Sequence, residues 1–189
     1  ILYVNEEAIF MRFEANEILL NDGRRCSLRP AEARDAKAMI EFLKIVSAET
    51  PFLLRNADEI TFTVDGERAF LESMLNAPCG IMMIAEIEGE IAGNCALSPV
   101  GNMRRTAHRC EFAIALKRKY WGIGIGAAMM NAAFARAKTI GYKQVELEVI
   151  AGNDRAIRLY ERFGFVQTGT IPCAIRYDDG AFRDALIMQ

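Results

Sequence analysis

A run of alternating glycines, WGIGIG at residues 121–126, is the strongest chemical signal in this sequence. Glycine has no Cβ atom, so such a backbone bends freely and lets another molecule approach its amides closely. The residues from Ala127 to Ile140 have helical spacing, so unpaired N–H groups and the positive end of a helix dipole would converge on the loop. This combination binds phosphate. Lys117, Arg118 and Lys119, directly upstream, add positive charge.

Two common nucleotide-binding motifs could use the same glycines. A P-loop requires Lys-Ser or Lys-Thr after its second glycine, and neither pair follows here. A Rossmann fingerprint that starts at Gly122 has the permitted Ala127 in its third glycine position, and Glu146 lies at a suitable distance for a ribose contact. A dinucleotide domain would continue with several strand–helix units, but only about 40 residues remain, which argues against a Rossmann fold.

The segment QVELEVIAGNDRAIRLYERFGF, at residues 144–165, has the pattern of a strand, a turn, an amphipathic helix and a glycine stop. With the glycine run, it resembles the GNAT superfamily of N-acetyltransferases, especially the branch that contains the ribosomal-protein acetyltransferases. The family pattern Gln/Arg-x-x-Gly-x-Gly/Ala is matched at Gly124 and Gly126, with Trp121 in place of Gln or Arg. The pattern Asn-x-x-Ala-x-x-x-Tyr-x-x-x-Gly-Phe is matched by Asn153, Ala156, Tyr160, Gly164 and Phe165. The resemblance covers about residues 26–189, and its specific motifs lie within 108–165.

The resemblance implies that acetyl-CoA is the cosubstrate. In the family, the strand before the glycine loop pairs with the pantetheine arm like an added strand, which here would use Ile114 to Leu116. The motif's Asn lies near that arm, and Asn153 also suits a helix cap by residue type. Trp121 changes one side-chain contact with the cofactor but leaves the backbone cradle in place. The predicted cofactor-binding residues are Ile114, Ala115, Leu116, Lys119, Trp121, Gly122, Ile123, Gly124, Ile125, Gly126, Ala127, Asn153, Ala156 and Tyr160.

Acetyl transfer from a thioester to an amine also requires a proton for the leaving thiolate. A thiol with a pKa of about 8.5 can receive it from a phenol, which has a pKa of about 10 and is protonated at neutral pH. Tyr160 is the candidate phenol, on the apolar face of its predicted helix. Its spacing alone favours a core tyrosine with a buried acceptor for its hydroxyl. The resemblance implies instead that Tyr160 is the general acid.

The amine must be neutral before it can attack. A Lys-like amine, with a pKa of about 10.4, costs over ~4 kcal/mol to deprotonate at pH 7, whereas an α-amino group with a pKa near 8 is already partly neutral. Two glutamates are candidate bases. Glu148 matches the glutamate of the ribosomal-protein acetyltransferases, and Glu111 matches the strand position of the base in other branches. Each could instead be a solvent-facing strand carboxylate, as we expect of Glu146.

The elements that must position these residues form a single α/β (α+β) domain over 1–189, in which residues 1–25 are an N-terminal extension or hairpin. Alternation of Ile9, Met11 and Phe13 indicates a strand, and Asn-Asp-Gly at 21–23 indicates a turn. The pattern predicts helices over 31–48, 66–76, 127–140 and 153–164, and strands over 81–86, 90–99, 108–116, 144–150, 165–176 and 181–188. The strand–helix–strand unit 108–150 requires one parallel pair, whereas short turns make other neighbours antiparallel. We therefore expect the GNAT fold, a mixed, mostly antiparallel central sheet with helices on both faces.

The composition narrows the class of protein. The chain has 189 residues and a formal net charge of −2, whereas a nucleic-acid-binding domain is usually basic. Its five cysteines are scattered without a Cys-x-x-Cys pair, which is typical of reduced thiols in a cytoplasmic protein. No apolar run approaches the ~18–20 residues of a membrane span, and the acidic Glu6 and Glu7 do not suit a signal peptide. One histidine, His108, cannot build a metal cluster, so no metal is expected.

The sequence therefore predicts an acetyl-CoA-dependent N-acetyltransferase that transfers the acetyl group directly to a primary amine. The acceptor is a protein N-terminus or a small molecule such as a polyamine or an amino-sugar antibiotic, and a homodimer is left open. A GNAT-like module that binds acetyl-CoA as a sensor or scaffold is the alternative, but the presence of Tyr160 and both glutamates favours the enzyme. Acceptor identity would depend on residues 52–63 and 171–183, which contain no readable motif.

Overall fold

The computed structural model describes residues 14–189. The strand predicted at Ile9, Met11 and Phe13 lies outside the described residues. The hairpin predicted around residues 21–23 is confirmed, because β1 (Asn16–Leu19) pairs antiparallel with β2 (Arg25–Pro30).

Four helices and six further strands follow in an order that agrees with the sequence pattern. The elements after β2 are α1 (Ala36–Glu49), α2 (Val64–Leu75), β3 (Ile81–Ile87), β4 (Glu90–Pro99), β5 (Arg109–Leu116), α3 (Ile125–Ile140), β6 (Gln144–Ile150), α4 (Asp154–Arg162), β7 (Gln167–Arg176) and β8 (Phe182–Met188). Short 3-10 turns lie at Ala33–Asp35, Ala57–Glu59 and Arg118–Tyr120.

Helix starts differ from the prediction by a few residues, for local reasons. The first helix starts at Ala36 rather than at 31, because the Asp35 carboxylate accepts a hydrogen bond from the Glu32 amide (2.8 Å) and closes a 3-10 turn first. The second starts at Val64 rather than at 66, because the Thr63 hydroxyl accepts from the Gly66 amide (3.1 Å) and caps the helix.

One eight-stranded sheet forms the centre of the fold, in the order β1-β2-β3-β4-β5-β6-β8-β7. Strands β5 and β6 are parallel, because α3 connects them as a crossover, and the other neighbouring pairs are antiparallel. The predicted mixed, mostly antiparallel sheet is therefore confirmed.

Helices cover both faces of this sheet. On one face, α3 and α4 pack in a large apolar cluster with β5 side chains such as Phe112. On the other face, α1 and α2 bury Phe42 and Leu71 against Ile84 and Ile91 of the sheet. Alternating residues along each strand thus belong to opposite faces, which sets the direction of every candidate catalytic side chain on β5 and β6. Within residues 14–189, no helix has the length and apolar character needed to cross a membrane.

Candidate active site

Strands β5 and β6 separate part-way along their length. Their ladder covers Arg109–Glu111 on β5 and Gln144–Glu146 on β6. Beyond it, β5 remains paired with β4 as far as Leu116, while β6 pairs with β8 over Leu147–Ile150. The β5 edge that faces β6 is therefore open beyond Glu111, in the segment where the sequence predicts pairing with an extended ligand. The carbonyl of Leu116 already accepts a hydrogen bond from the Trp121 indole (2.9 Å).

The glycine loop links the end of β5 to α3. Gly122 and Gly124 have φ of +82° and +100°, a region that L side chains rarely adopt, so glycine is required at both positions. Gly124 caps α3, and the first intrahelical hydrogen bond runs from the Ala128 amide to the Gly124 carbonyl (3.1 Å). The amides before Ala128 are therefore the unpaired donors of the helix amino terminus.

Gly126 is glycine for a different reason. It is buried in the first turn of α3, and a Cβ atom there would lie 3.2 Å from Leu159 Cδ2 and 3.4 Å from Leu116 Cδ1. This glycine lets α3 pack closely against α4. Close approach of a ligand, which we expected to explain all three glycines, is not needed to explain Gly126.

The turn between β1 and β2 supports the glycine loop, which the sequence did not indicate. The Asn21 amide donates to the Ile123 carbonyl (3.1 Å), and the Asn21 side chain lies about 3.5 Å from where a Cβ atom on Gly124 would be. These residues are about 100 positions apart in the chain, so local spacing carries no signal for the contact.

The two lysines upstream of the loop share one carboxylate. Glu90 forms ion pairs with Lys117 (2.7 Å) and Lys119, and it accepts a hydrogen bond from the Tyr120 hydroxyl (2.7 Å). These contacts lower the pKa of Glu90 to about 2, with the hydrogen bond from Lys117 the largest cause. Glu90 therefore offsets part of the positive charge of Lys117 and Lys119, and the binding of the cofactor by Lys119 stays a prediction.

Tyr160 is buried on α4, with 7% of its surface exposed, in the cluster that also contains Phe112 and Leu147. Its ring centroid lies 6.0 Å from that of Phe165. Burial raises the pKa of Tyr160 to about 12. Among the described residues, its hydroxyl has no hydrogen-bond partner, whereas the Tyr142 hydroxyl donates to the Cys79 carbonyl (2.6 Å). Tyr160 is therefore a core ring with a protonated, available hydroxyl.

Asn153 caps α4, as its residue type predicts. Its Oδ1 atom accepts a hydrogen bond from the Ala156 amide (3.4 Å). The side-chain NH₂ group of Asn153 is not used in this bond and can donate to another molecule.

Three glutamates lie on the sheet face opposite Phe112 and Leu147. Glu111 and Glu146 are register partners across the β5–β6 ladder, and Glu148 follows two positions along β6, about 7 Å further on the same face. Glu111 and Glu148 are both exposed. Exposure alone therefore does not decide which of the two is the base.

Glu146 corrects the prediction that it faces solvent. It is only 8% exposed, because Arg109 of the neighbouring strand donates to its Oε2 atom (2.6 Å) and the Gln189 side chain approaches the same oxygen (3.4 Å). Glu146 therefore has a structural role in an ion pair with Arg109, next to the two candidate bases.

One of the two segments expected to control the acceptor, residues 171–183, contacts the residue that precedes the other segment, 52–63. The Tyr177 hydroxyl, at the end of the β7–β8 hairpin, donates to the Pro51 carbonyl at the end of α1 (2.9 Å). This hydrogen bond links the chain just after α1 to the β7–β8 hairpin.

Comparisons with known proteins agree with this architecture. Residues 43–165 match the model of the acetyltransferase (GNAT) family. A Bacillus subtilis protein with the provisional name of a ribosomal protein bS18-alanine N-acetyltransferase is 30% identical over 64% of this chain and 74% of its own length. A GNAT acetyltransferase structure from Streptococcus pneumoniae has a TM-score of 0.82 and 29% identity, over 86% of this chain and 97% of that one.

A third comparison concerns a ligand-bound structure. The Salmonella typhimurium protein yncA, provisionally described as an acetyltransferase and solved with its cofactor acetyl-CoA, has a TM-score of 0.75 and 19% identity, over 86% of this chain and 91% of that one. At this identity the likeness shows a shared fold. The family match covers more than half of the residues, including the separated strands, the glycine loop and Tyr160, so this chain belongs to the GNAT family of acetyltransferases.

Proposed function

We propose that this protein transfers the acetyl group of acetyl-CoA directly to the nitrogen of a primary amine. The main support for this proposal is the opening between β5 and β6. The amino terminus of α3 lies beside the end of β5, the buried phenol of Tyr160 belongs to one side of the sheet, and the exposed carboxylate of Glu148 belongs to the other.

The residues present fit acetyl-CoA. The unpaired amides at the start of α3 suit its diphosphate, the free β5 edge suits the amides of its pantetheine arm, and the spare NH₂ group of Asn153 adds a donor on the α4 side. The S. typhimurium structure with acetyl-CoA supports this choice of cosubstrate. When bound, acetyl-CoA supplies a thioester carbonyl for attack by the amine.

Tyr160 is the proposed acid. Because burial keeps its pKa near 12, the hydroxyl stays protonated at neutral pH. It can donate a hydrogen bond to the sulfur as negative charge develops there, and deliver the proton as the C–S bond breaks. Solvent then returns a proton to the phenolate.

Glu148 is the proposed base, and Glu111 is the alternative. Glu111 lies within the closed part of the ladder, beside the Arg109–Glu146 pair. Glu148 lies beyond the point where the strands separate, on the stretch of β6 that borders the opening. A proton removed from the amine there leaves nitrogen with the lone pair it needs for attack.

A panel of amines tests this proposal. Peptides with free N-termini, single amino acids, polyamines and amino sugars are each incubated with acetyl-CoA, and the release of the CoA thiol is measured. We expect one class to give release well above the background without acceptor. The bS18-alanine N-acetyltransferase name of the B. subtilis relative supports placing N-terminal peptides first. Tight acetyl-CoA binding with background release on every class would favour the sensor alternative.

Gly124→Val is expected to abolish acetyl-CoA binding. Valine at φ +100° is strained by roughly 1–2 kcal/mol, so we expect the loop backbone to shift and the cradle amides to be displaced. Gly141→Val is the matched control, because Gly141 ends the same helix at φ +103° with open space around it, away from the loop. Calorimetry on the folded variants should show loss of binding for Gly124→Val alone. Equal affinities of the two variants for acetyl-CoA would show that the glycine loop is not part of the binding site.

A further inference from the structure

We propose that Arg155 is a phosphate-binding residue for acetyl-CoA and that Trp121 holds its guanidinium group at the glycine loop. The inference rests on the proposed function and adds a side-chain contact that the sequence motifs do not contain. It also gives a role to the tryptophan that replaces Gln or Arg in the loop pattern.

Arg155 reaches from the first turn of α4 to the backbone of the glycine loop. Its Nη2 atom lies 3.2 Å from where a Cβ atom on Gly122 would be, so a side chain at position 122 would compete with the guanidinium group for space. The amides at the start of α3 follow directly after this point in the chain. The guanidinium group is therefore placed beside the phosphate cradle.

Trp121 fixes that position. The Cζ atom of Arg155 lies 5.0 Å from the centroid of the indole ring, within the range of a cation–π contact. The indole itself is anchored, because its Nε1 atom donates to the Leu116 carbonyl at the end of β5 (2.9 Å). An anchored aromatic surface reduces the entropy that Arg155 would lose on binding a ligand.

Arg155 differs from the other cations around the loop in its contacts, although the Cζ atom of Arg118 also lies 5.6 Å from the Trp121 ring centroid. Lys117 and Lys119 share Glu90, and Arg118 is tied to the end of α1, with its amide on the Glu49 carboxylate (2.6 Å) and its guanidinium group on the Glu49 carbonyl. Within residues 14–189, the guanidinium group of Arg155 is exposed and has no carboxylate partner. Arg155 can therefore add positive charge to the cradle from α4 without giving up an ion pair.

A guanidinium group presents two parallel N–H donors to phosphate oxygens, and such charged hydrogen bonds are stronger than those between neutral groups. Acetyl-CoA has two sources of this chemistry, the diphosphate bridge and the phosphate on the ribose. Both present the same acceptor oxygens to Arg155. Dephospho-CoA, which lacks only the ribose phosphate, distinguishes them.

The test compares the affinities of Arg155→Ala, Arg155→Lys and wild-type protein for CoA and dephospho-CoA by calorimetry. We expect Arg155→Ala to weaken CoA binding by about 10-fold or more and to reduce the dependence of affinity on salt. Arg155→Lys keeps the charge without the planar fork and should lose less. Arg158→Ala removes an exposed arginine from the same helix and should leave both affinities within about 2-fold of wild type.

Each outcome has a definite meaning. If Arg155→Ala weakens the binding of CoA but not of dephospho-CoA, Arg155 contacts the ribose phosphate. If it weakens the binding of both ligands equally, Arg155 contacts the diphosphate. Wild-type affinity and salt dependence in a folded Arg155→Ala protein would overturn the inference and leave the proposed function intact. Failure of the wild-type protein to bind either ligand would instead contradict the proposed function. Thermal unfolding of each variant checks that α4 is still packed.

Discussion

Tyr160→Phe is expected to lower turnover by about 10²-fold or more and to leave the affinity for acetyl-CoA nearly unchanged. The hydroxyl is needed as charge develops on the sulfur, whereas the ring, which packs in the core beside Phe165, is retained by phenylalanine. Because burial raises the pKa of Tyr160 to about 12, the phenol stays protonated through the neutral and mildly alkaline range. Loss of the acid form should therefore not appear as a falling limb of the pH–rate profile below about pH 11.

Tyr142→Phe is the matched control for this substitution. Tyr142 is also buried, but its hydroxyl donates to the Cys79 carbonyl (2.6 Å), beyond the end of α3 that lies opposite the glycine loop. Its removal should lower the free energy of unfolding by about 1–3 kcal/mol, because a buried acceptor loses its donor, and should not change turnover. Equal turnover in Tyr160→Phe and wild type, with chemistry rate-limiting, would make Tyr160 a core residue and nothing more.

Glu148→Gln is expected to lose activity at neutral pH and to recover it as the pH rises. At high pH the solvent supplies the neutral amine that the carboxylate no longer helps to produce. Glu111→Gln is the matched variant, an exposed carboxylate on the same face of the neighbouring strand, and its pH profile should follow that of wild type. Initial rates across the pH range, at saturating acetyl-CoA, provide the comparison.

The shape of the recovery also reports on the acceptor. A profile that levels off near pH 8 indicates an α-amino group, and a rise that continues toward about pH 10 indicates a Lys-like or polyamine nitrogen. If activity at high pH recovers in Glu111→Gln and not in Glu148→Gln, Glu111 is the base. Effects of equal size and independent of pH would mean that both carboxylates only position the substrate or water.

Local patterns predicted most of the fold. Alternation and turn residues located the strands, 3.6-residue periodicity located the helices, and the crossover through α3 required the parallel β5–β6 pair. The helix boundaries moved where a side chain caps the chain, as Thr63 does, because several residues nearby could have served as the cap.

The electrostatics of the site could not be predicted in the same way. Alternation places Glu146 and Glu148 on one face, but only the pairing of β5 with β6 puts Arg109 beside Glu146 and leaves Glu148 exposed. Likewise, Glu90 lies 29 positions before Lys119, and a run of basic residues gives no sign that a carboxylate from β4 pairs with two of them. Contacts between elements distant in the chain decided which charges are available.

The roles of Tyr160, Glu148 and Glu111 stay predictions, because burial and strand register fix where these groups lie and not what they do in a reaction. The family and its fold are confirmed, and they narrow the chemistry to acyl transfer. Selection of the acceptor by residues 52–63 and 171–183 also stays a prediction.

The central claim is direct acetyl transfer to nitrogen, and the ratio of products tests it most directly. The wild-type protein is incubated with acetyl-CoA, once alone and once with the best amine of the panel, and the free CoA thiol, the acetylated amine and the mass of the protein are measured by mass spectrometry. We expect one acetylated amine for each CoA released, with no acetyl group left on the protein. CoA release without acetylated amine, or a stable acetyl group on the protein itself, would contradict the account.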